Sequence, residues 1–245
     1  MTKIKYPAVI LLLFCSNLLL AQSAPAWGGG ADQNDISFGF TFGYILSNYK
    51  IIKQPNWQAP FLDQNANKIT DSLTSISSNK MPGFALGFIT RYRLSEHLEL
   101  RSTPSLIFAD RSLNYTYTVP SEDVVKQVQT TTVDIPMLIK LKSDRIENFR
   151  AYVIGGLKYS FAIGKGNTDQ NANSGLLDRQ VKNVAGFASY EAGLGCDIYF
   201  EFFKLSPEIK LSNSLGNVLV PENQPFSGPI SKLWLHTLQI SLYFE

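Results

Sequence analysis

Two histidines, His97 and His236, and two cysteines, Cys15 and Cys196, are the side chains with which this sequence could begin acid–base, thiol or metal chemistry. A serine or thiol nucleophile needs a base within hydrogen-bond reach, and a protein zinc site needs several His, Cys or carboxylate ligands brought together. The histidines lie far apart along the chain and no second member of a triad accompanies His236. Gly164-Lys165-Gly166 lacks the helix and the spacing of a phosphate loop. The sequence therefore predicts no catalytic residue, no cofactor and no metal, and a protein that is not an enzyme. Cys196 reads as a small hydrophobe. Another chemistry is plentiful. Arg91, Arg93, Glu99, Arg101, Asp134, Lys140, Arg150, Lys158, Glu191, Asp197, Lys204, Glu208 and Lys210 all fall on one parity of alternating segments. Both signs are represented, so these residues can neutralise one another as a buried ion-pair network, in which every charge needs a partner.

The elements that must position those charges are strands. In ISFGFTFGYILSNY, residues 36–49, Ile36, Phe38, Phe40, Phe42, Tyr44 and Leu46 alternate with mostly small residues. A period of two marks a strand with two different faces. The same alternation recurs seven more times, through Phe84–Leu94, Leu98–Phe108, Val133–Lys142, Arg150–Phe161, Tyr190–Phe200, Phe203–Leu211 and Trp234–Phe244. The connections run long, short (Ser95-Glu96-His97), long, short (143–148), long, short (around Glu201) and long (213–231). That rhythm is the pattern of outer-membrane barrels, with short periplasmic turns and longer loops outside.

Only a closed sheet can carry strands through lipid, because lipid satisfies no backbone hydrogen bond. The interior of an eight-stranded barrel is just wide enough to be filled by side chains. The large apolar face is thus assigned to lipid, and the small face with its charges to a plugged lumen. A lipocalin-like barrel has the opposite polarity and would bury the charges in an apolar cavity. The predicted fold is all-β, an eight-stranded antiparallel up-and-down transmembrane barrel with a side-chain-filled polar lumen. Under this parity, Phe40→Arg is expected to cost about 2–4 kcal/mol near the bilayer midplane.

Lys3 and Lys5 precede a mostly apolar stretch, Val9 to Leu20, with small residues after it. This reads as a signal peptide over 1–21 rather than a membrane anchor. Residues 22–34 form a short periplasmic segment and 35–245 the barrel. Removing Lys3 and Lys5 leaves 20 of the 22 basic residues against 20 acidic ones, which points to neither nucleic acid nor a strongly acidic partner. Mature Cys196 has no second cysteine to pair with. The long loops hold Trp57, Phe61 and Phe226 among prolines, and Trp234 and His236 begin the last strand. These five residues are the candidate partner contacts. For the loops, packing over the barrel mouth and docking a partner are both open readings.

Several stretches carry a family resemblance. DIPMLIKLKSDRIENFRAYVIGGLKYSF (134–161), YEAGLGCDIYFEFFKLSPEIKLSNSLGNVL (190–219), FGFTFGYILSNYKI, PGFALGF and the closing SLYFE resemble the PorT family, also called SprT. The resemblance covers essentially the whole mature chain, with FKLSPEIKLSNSLGNVL its most specific part. It implies a non-enzymatic outer-membrane component of the type IX secretion system in a Gram-negative, Bacteroidota-like bacterium. That system exports proteins with C-terminal sorting domains and is coupled in some to gliding motility. The implied partners are other outer-membrane subunits of the system and the lipid itself, with no small-molecule substrate. A plugged eight-stranded barrel is too narrow to pass a folded protein, so the implied role is accessory or assembly. The alternatives are a generic small porin-like or adhesion barrel and, behind it, a lipid-modifying barrel enzyme dependent on His236.

Overall fold

The computed structural model describes residues 34–63, 65–128, 130–163 and 175–245. The signal peptide, all but the end of the 22–34 segment and Gly164–Gly166 lie outside the described residues.

Eight staves close into a ring. They are β1 (Ile36–Lys53), β3 (Met81–Arg93), a broken stave made of β4 (Leu98–Ser102) and β5 (Ser105–Ala109), β8 (Thr131–Lys142), β9 (Phe149–Ala162), β10 (Gly186–Tyr199), β11 (Lys204–Ser214) and β12 (Ile230–Phe244). Each pairs antiparallel with its neighbours in the sequence. The ring closes because β1 pairs with β3 on one side and with β12 on the other. Closure leaves no strand edge unpaired in lipid. The break in the third stave falls at Thr103-Pro104, where proline has no N–H to give the ladder. The chain still holds its place there, because Phe88 N–H donates to the Pro104 carbonyl at 3.0 Å.

Alternation sorts the side chains as the period of two requires. Phe38, Phe40, Phe42 and Tyr44 are exposed on the outer wall, while Thr41, Ile45 and Ser47 are buried inside. The small inner residues make room for large ones arriving from neighbouring staves. A Cβ on Gly195 would stand 2.5 Å from the Tyr152 hydroxyl and 2.7 Å from the Pro207 carbonyl oxygen. One on Gly43 would stand 2.7 Å from Ser241 Oγ.

The outer end carries a second layer. The long loops contain three more strands, β2 (Leu73–Ser77), β6 (Arg111–Tyr117) and β7 (Val124–Val128), ordered β2-β6-β7 in a sheet of their own. This cap sheet packs with the other loops and the inward residues at the top of the barrel into one apolar core. Tyr49, Leu113, Tyr115, Val181, Phe226 and Leu233 are among its members. Loops with this much buried apolar surface fold over the mouth rather than stand in solvent, since burying a large side chain is worth roughly 1.5–3 kcal/mol.

One hydrogen bond ties two of the loops. Tyr115 OH donates to the Phe226 carbonyl at 2.6 Å, and the two rings meet edge-on with centroids 5.3 Å apart. Burial pushes the Tyr115 phenol well above the ordinary tyrosine range, so its proton stays in place to be donated. Tyr115→Phe removes the donor and leaves a buried carbonyl without it. The expected loss is about 1–3 kcal/mol of folding stability, read from denaturant unfolding of the protein in lipid vesicles. A change within error would mean the cap is not part of the cooperative unit.

Candidate functional site: sealed lumen and outer cap

The charges placed on the inner parity converge in the lumen as chains of carboxylates, each serving several donors. Glu99 Oε1 lies 3.1 Å from Arg91 Nη1 and also meets Lys142 Nζ. Asp197 accepts from Lys140 Nζ at 2.7 and 2.8 Å and from Ser206 Oγ at 2.6 Å. Lys158 stands 2.8 Å from Asp134 and 2.9 Å from Glu191, whose other oxygen is 3.3 Å from Lys210 Nζ.

Glu208 is the hub of the middle. It pairs with Arg101, accepts from Tyr152 OH at 2.8 Å and Tyr243 OH at 3.0 Å, and lies 3.7 Å from Lys210 Nζ. Arg101 also stacks over the Tyr243 ring at 4.4 Å, a cation–π contact strengthened by exclusion of water. Arg91, Glu99, Arg101, Lys140, Asp197 and Lys204 have no solvent-exposed surface. Arg150 is buried on β9 opposite Asp197 of β10, and Arg93 is half-buried at the periplasmic mouth opposite Glu99.

Four members escaped the sequence reading. Glu245, the last residue of the closing SLYFE, turns into the lumen and lies 2.8 Å from both Arg91 Nε and Lys204 Nζ. Lys142, Tyr152 and Tyr243 join through the contacts above. All four sit on the inward parity, so the signal was present, but a single inward tyrosine or terminal residue does not reveal its cross-lumen partner.

At the upper end of the network a cavity of about 10 Å³ remains, lined by Ser47, Arg111, Asp134, Lys158 and Gln239 among others. That is room for about one water molecule, and the apolar cap closes over it.

The five candidate partner contacts separate. Phe226 is a correction. It is 1 % exposed in the cap core, because its ring fills the space under Tyr115 and cannot present itself to a partner. Trp57 packs half-buried on the same core and its ring carries Lys53 Nζ at 3.7 Å. Phe61 is half-buried in the first long loop. Trp234 and His236 lie on the outer wall, half-buried, with Lys50 opposite Trp234, and Asn48 and Asn213 on either side of His236. His97 joins two periplasmic turns through Asp144, 2.9 Å away. Among the described residues, no group of three or more His, Cys, Asp or Glu side chains is placed to hold a metal.

A closed ring with its apolar face outward and its charges inward is the inverse of a soluble ligand-carrying barrel. The sequence model of the outer membrane protein beta-barrel domain matches residues 20–220. The chain belongs to that family. Its location is accordingly the outer membrane, crossed by all eight staves. Of these, β12 follows the matched residues and closes the ring. Among solved structures, OprG from Pseudomonas aeruginosa is similar at 9 % identity over 84 % of this chain and 93 % of that one, with a TM-score of 0.48. Ail of Yersinia pestis is similar at 11 % identity over 86 % and 99 %, TM-score 0.39. The outer membrane protein AlkL follows at 13 % identity over 92 % of each chain, TM-score 0.35. No curated protein matches this chain.

Proposed function

We propose that this family member is a non-conducting, non-enzymatic outer-membrane barrel that works by holding a rigid cap and outer wall against other molecules, as an adhesion- or docking-type barrel does. The observation that carries this reading is the filled lumen, with a buried ion-pair network, a remaining cavity of about 10 Å³ and an apolar cap above it. A solute path would need a continuous water column, and the lumen packing of the described residues opposes one. The residues paired directly with His236 are asparagines, with Lys50 diagonal to it, which supports a membrane-interface role for that histidine over a catalytic one.

Purified protein in a planar lipid bilayer is expected to leave the current at the level of protein-free lipid, at neutral pH and moderate salt. Regular open steps that persist across preparations would return the protein to the porins.

Within this reading, the PorT-like segments 134–161 and 190–219 favour a narrower role, that of an accessory to type IX secretion in a Bacteroidota-like cell. The cap and outer wall would then face other outer-membrane subunits of that system. Deleting the gene in the native host separates the two. Loss of sorting-domain cargo from the culture supernatant, restored by the wild-type gene, supports the secretion accessory. Normal cargo leaves the generic surface barrel.

A further inference from the structure

Three lysines on the outer wall stand in one place relative to the membrane. On β1 the outward residues from Phe38 to Leu46 are apolar or aromatic, then Asn48 and Lys50 follow. On β3 the outward run from Tyr92 up to Pro82 includes only Thr90 as a polar residue, and exposed Lys80 lies just before the strand begins at Met81. On β12 the run from Phe244 up to Trp234 is interrupted only by His236, and Lys232 comes next. Each run matches the ~9–11 residues that a tilted strand needs to cross the hydrocarbon. The lysines therefore begin where the outer headgroups begin.

They are also neighbours. β3, β1 and β12 are consecutive staves. Lys50 is directly opposite Trp234 and diagonal to Lys232, and Ser47 pairs with Met81, the residue that follows Lys80. Diagonal pairs lie roughly 7–8 Å apart, within reach of long side chains. Lys50, Lys80 and Lys232 are all exposed, and none has an ion-pair partner among the described residues. Three acids of the adjoining loop are engaged elsewhere. Asp71 pairs with Lys68 at 2.9 Å, Asp63 takes the Asn65 and Asn67 amides, and Glu122 takes the Asp71 amide.

We propose that Lys50, Lys80 and Lys232, with Trp234 beside Lys50, form a binding site for the phosphorylated headgroup of an outer-leaflet glycolipid whose acyl chains lie on the apolar wall of β3, β1 and β12. Like-charged lysines close together with no ion-pair partner among the described residues are costly unless an anion joins them, and here the wall below fixes the depth at which that anion sits. An indole at the headgroup level is at home in the same layer. The site does not depend on the function proposed above.

The test is native mass spectrometry of the full chain purified in a neutral detergent. The probes are lipid A with two phosphates, the same lipid without phosphates, and phosphatidylcholine. The two-phosphate lipid is expected to be retained in preference to both others. Lys50→Gln/Lys80→Gln/Lys232→Gln is expected to weaken its retention about a hundredfold, about fivefold per lysine near a charged membrane surface. A folded band on unheated gels checks that the variant is intact. If the triple variant does not fold, Lys232→Gln alone is expected to lose about fivefold. Equal retention of phosphorylated and dephosphorylated lipid would overturn the proposal, as would an unchanged triple variant. Displacement of the lipid by equimolar inorganic phosphate would assign the lysines to free phosphate instead. A photocrosslinker at position 232 that captures protein rather than lipid in cells would make the patch a protein interface.

Discussion

Glu208→Ala is expected to remove about 3–5 kcal/mol of stability, because it strands a buried charge. Arg101 has no solvent-exposed surface, and Glu208 is the carboxylate it pairs with. Lys210 loses less, since Glu191 remains 3.3 Å away. Tyr152 and Tyr243 each lose an acceptor. The measurement is reversible urea unfolding of the barrel in lipid vesicles, followed by tryptophan fluorescence. A double variant tells desolvation from simple loss of packing. Arg101→Met combined with Glu208→Leu removes both charges at similar volume, and buried ion pairs replaced in that way are often neutral or better. The double variant is therefore expected to recover most of what Glu208→Ala loses. If it were as unstable as the two single changes summed, the pair would be uncoupled and the lumen network a set of independent contacts.

The same residues indicate how far local sequence could go. Polarity was legible because a strand's period of two assigns each residue a face without reference to anything distant. Hence Arg101, Lys140, Asp197 and Glu208 were readable as lumen residues, and eight staves could be counted. Partners were not readable. Arg101 and Glu208 are 107 positions apart and meet only through the ring's register, which no local pattern records.

The cap was illegible for a related reason. In β6, RSLNYTY, Leu113, Tyr115 and Tyr117 are buried and alternate with Asn114 and Thr116, but so short a run inside a long connection does not say that it pairs with β2 and β7 in a sheet of its own. Phe226, between Pro225 and Ser227, looks like an exposed loop residue until Tyr115 is seen to cover it. The broken third stave was read as one strand, because Pro104 interrupts the hydrogen bonding while the outward Leu100 and Leu106 keep the alternation.

The outer wall supplies the second large effect. Phe42→Arg is expected to cost about 2–4 kcal/mol of folding stability in vesicles, the penalty for a cation on the lipid face at the midplane. The register identifies the midplane residue as Phe42 rather than Phe40. Phe40 pairs with Phe244 next to the chain end and stacks on it with centroids 4.9 Å apart, as part of the periplasmic aromatic rim. Phe42 faces Leu242 on one side and Leu86 on the other, with apolar residues above and below on all three staves. An arginine there has no headgroup within easy reach, whereas one at Phe40 can extend its guanidinium toward the periplasmic interface. Phe40→Arg should thus cost less than Phe42→Arg, and Asn48→Arg, at the outer interface, about 0–1 kcal/mol. The ordering Phe42 above Phe40 above Asn48 is the discriminating result. A uniform penalty along β1 would mean that the wall is packed against protein over its whole height, and an absent penalty at Phe42 would reverse the inward and outward faces of the strand.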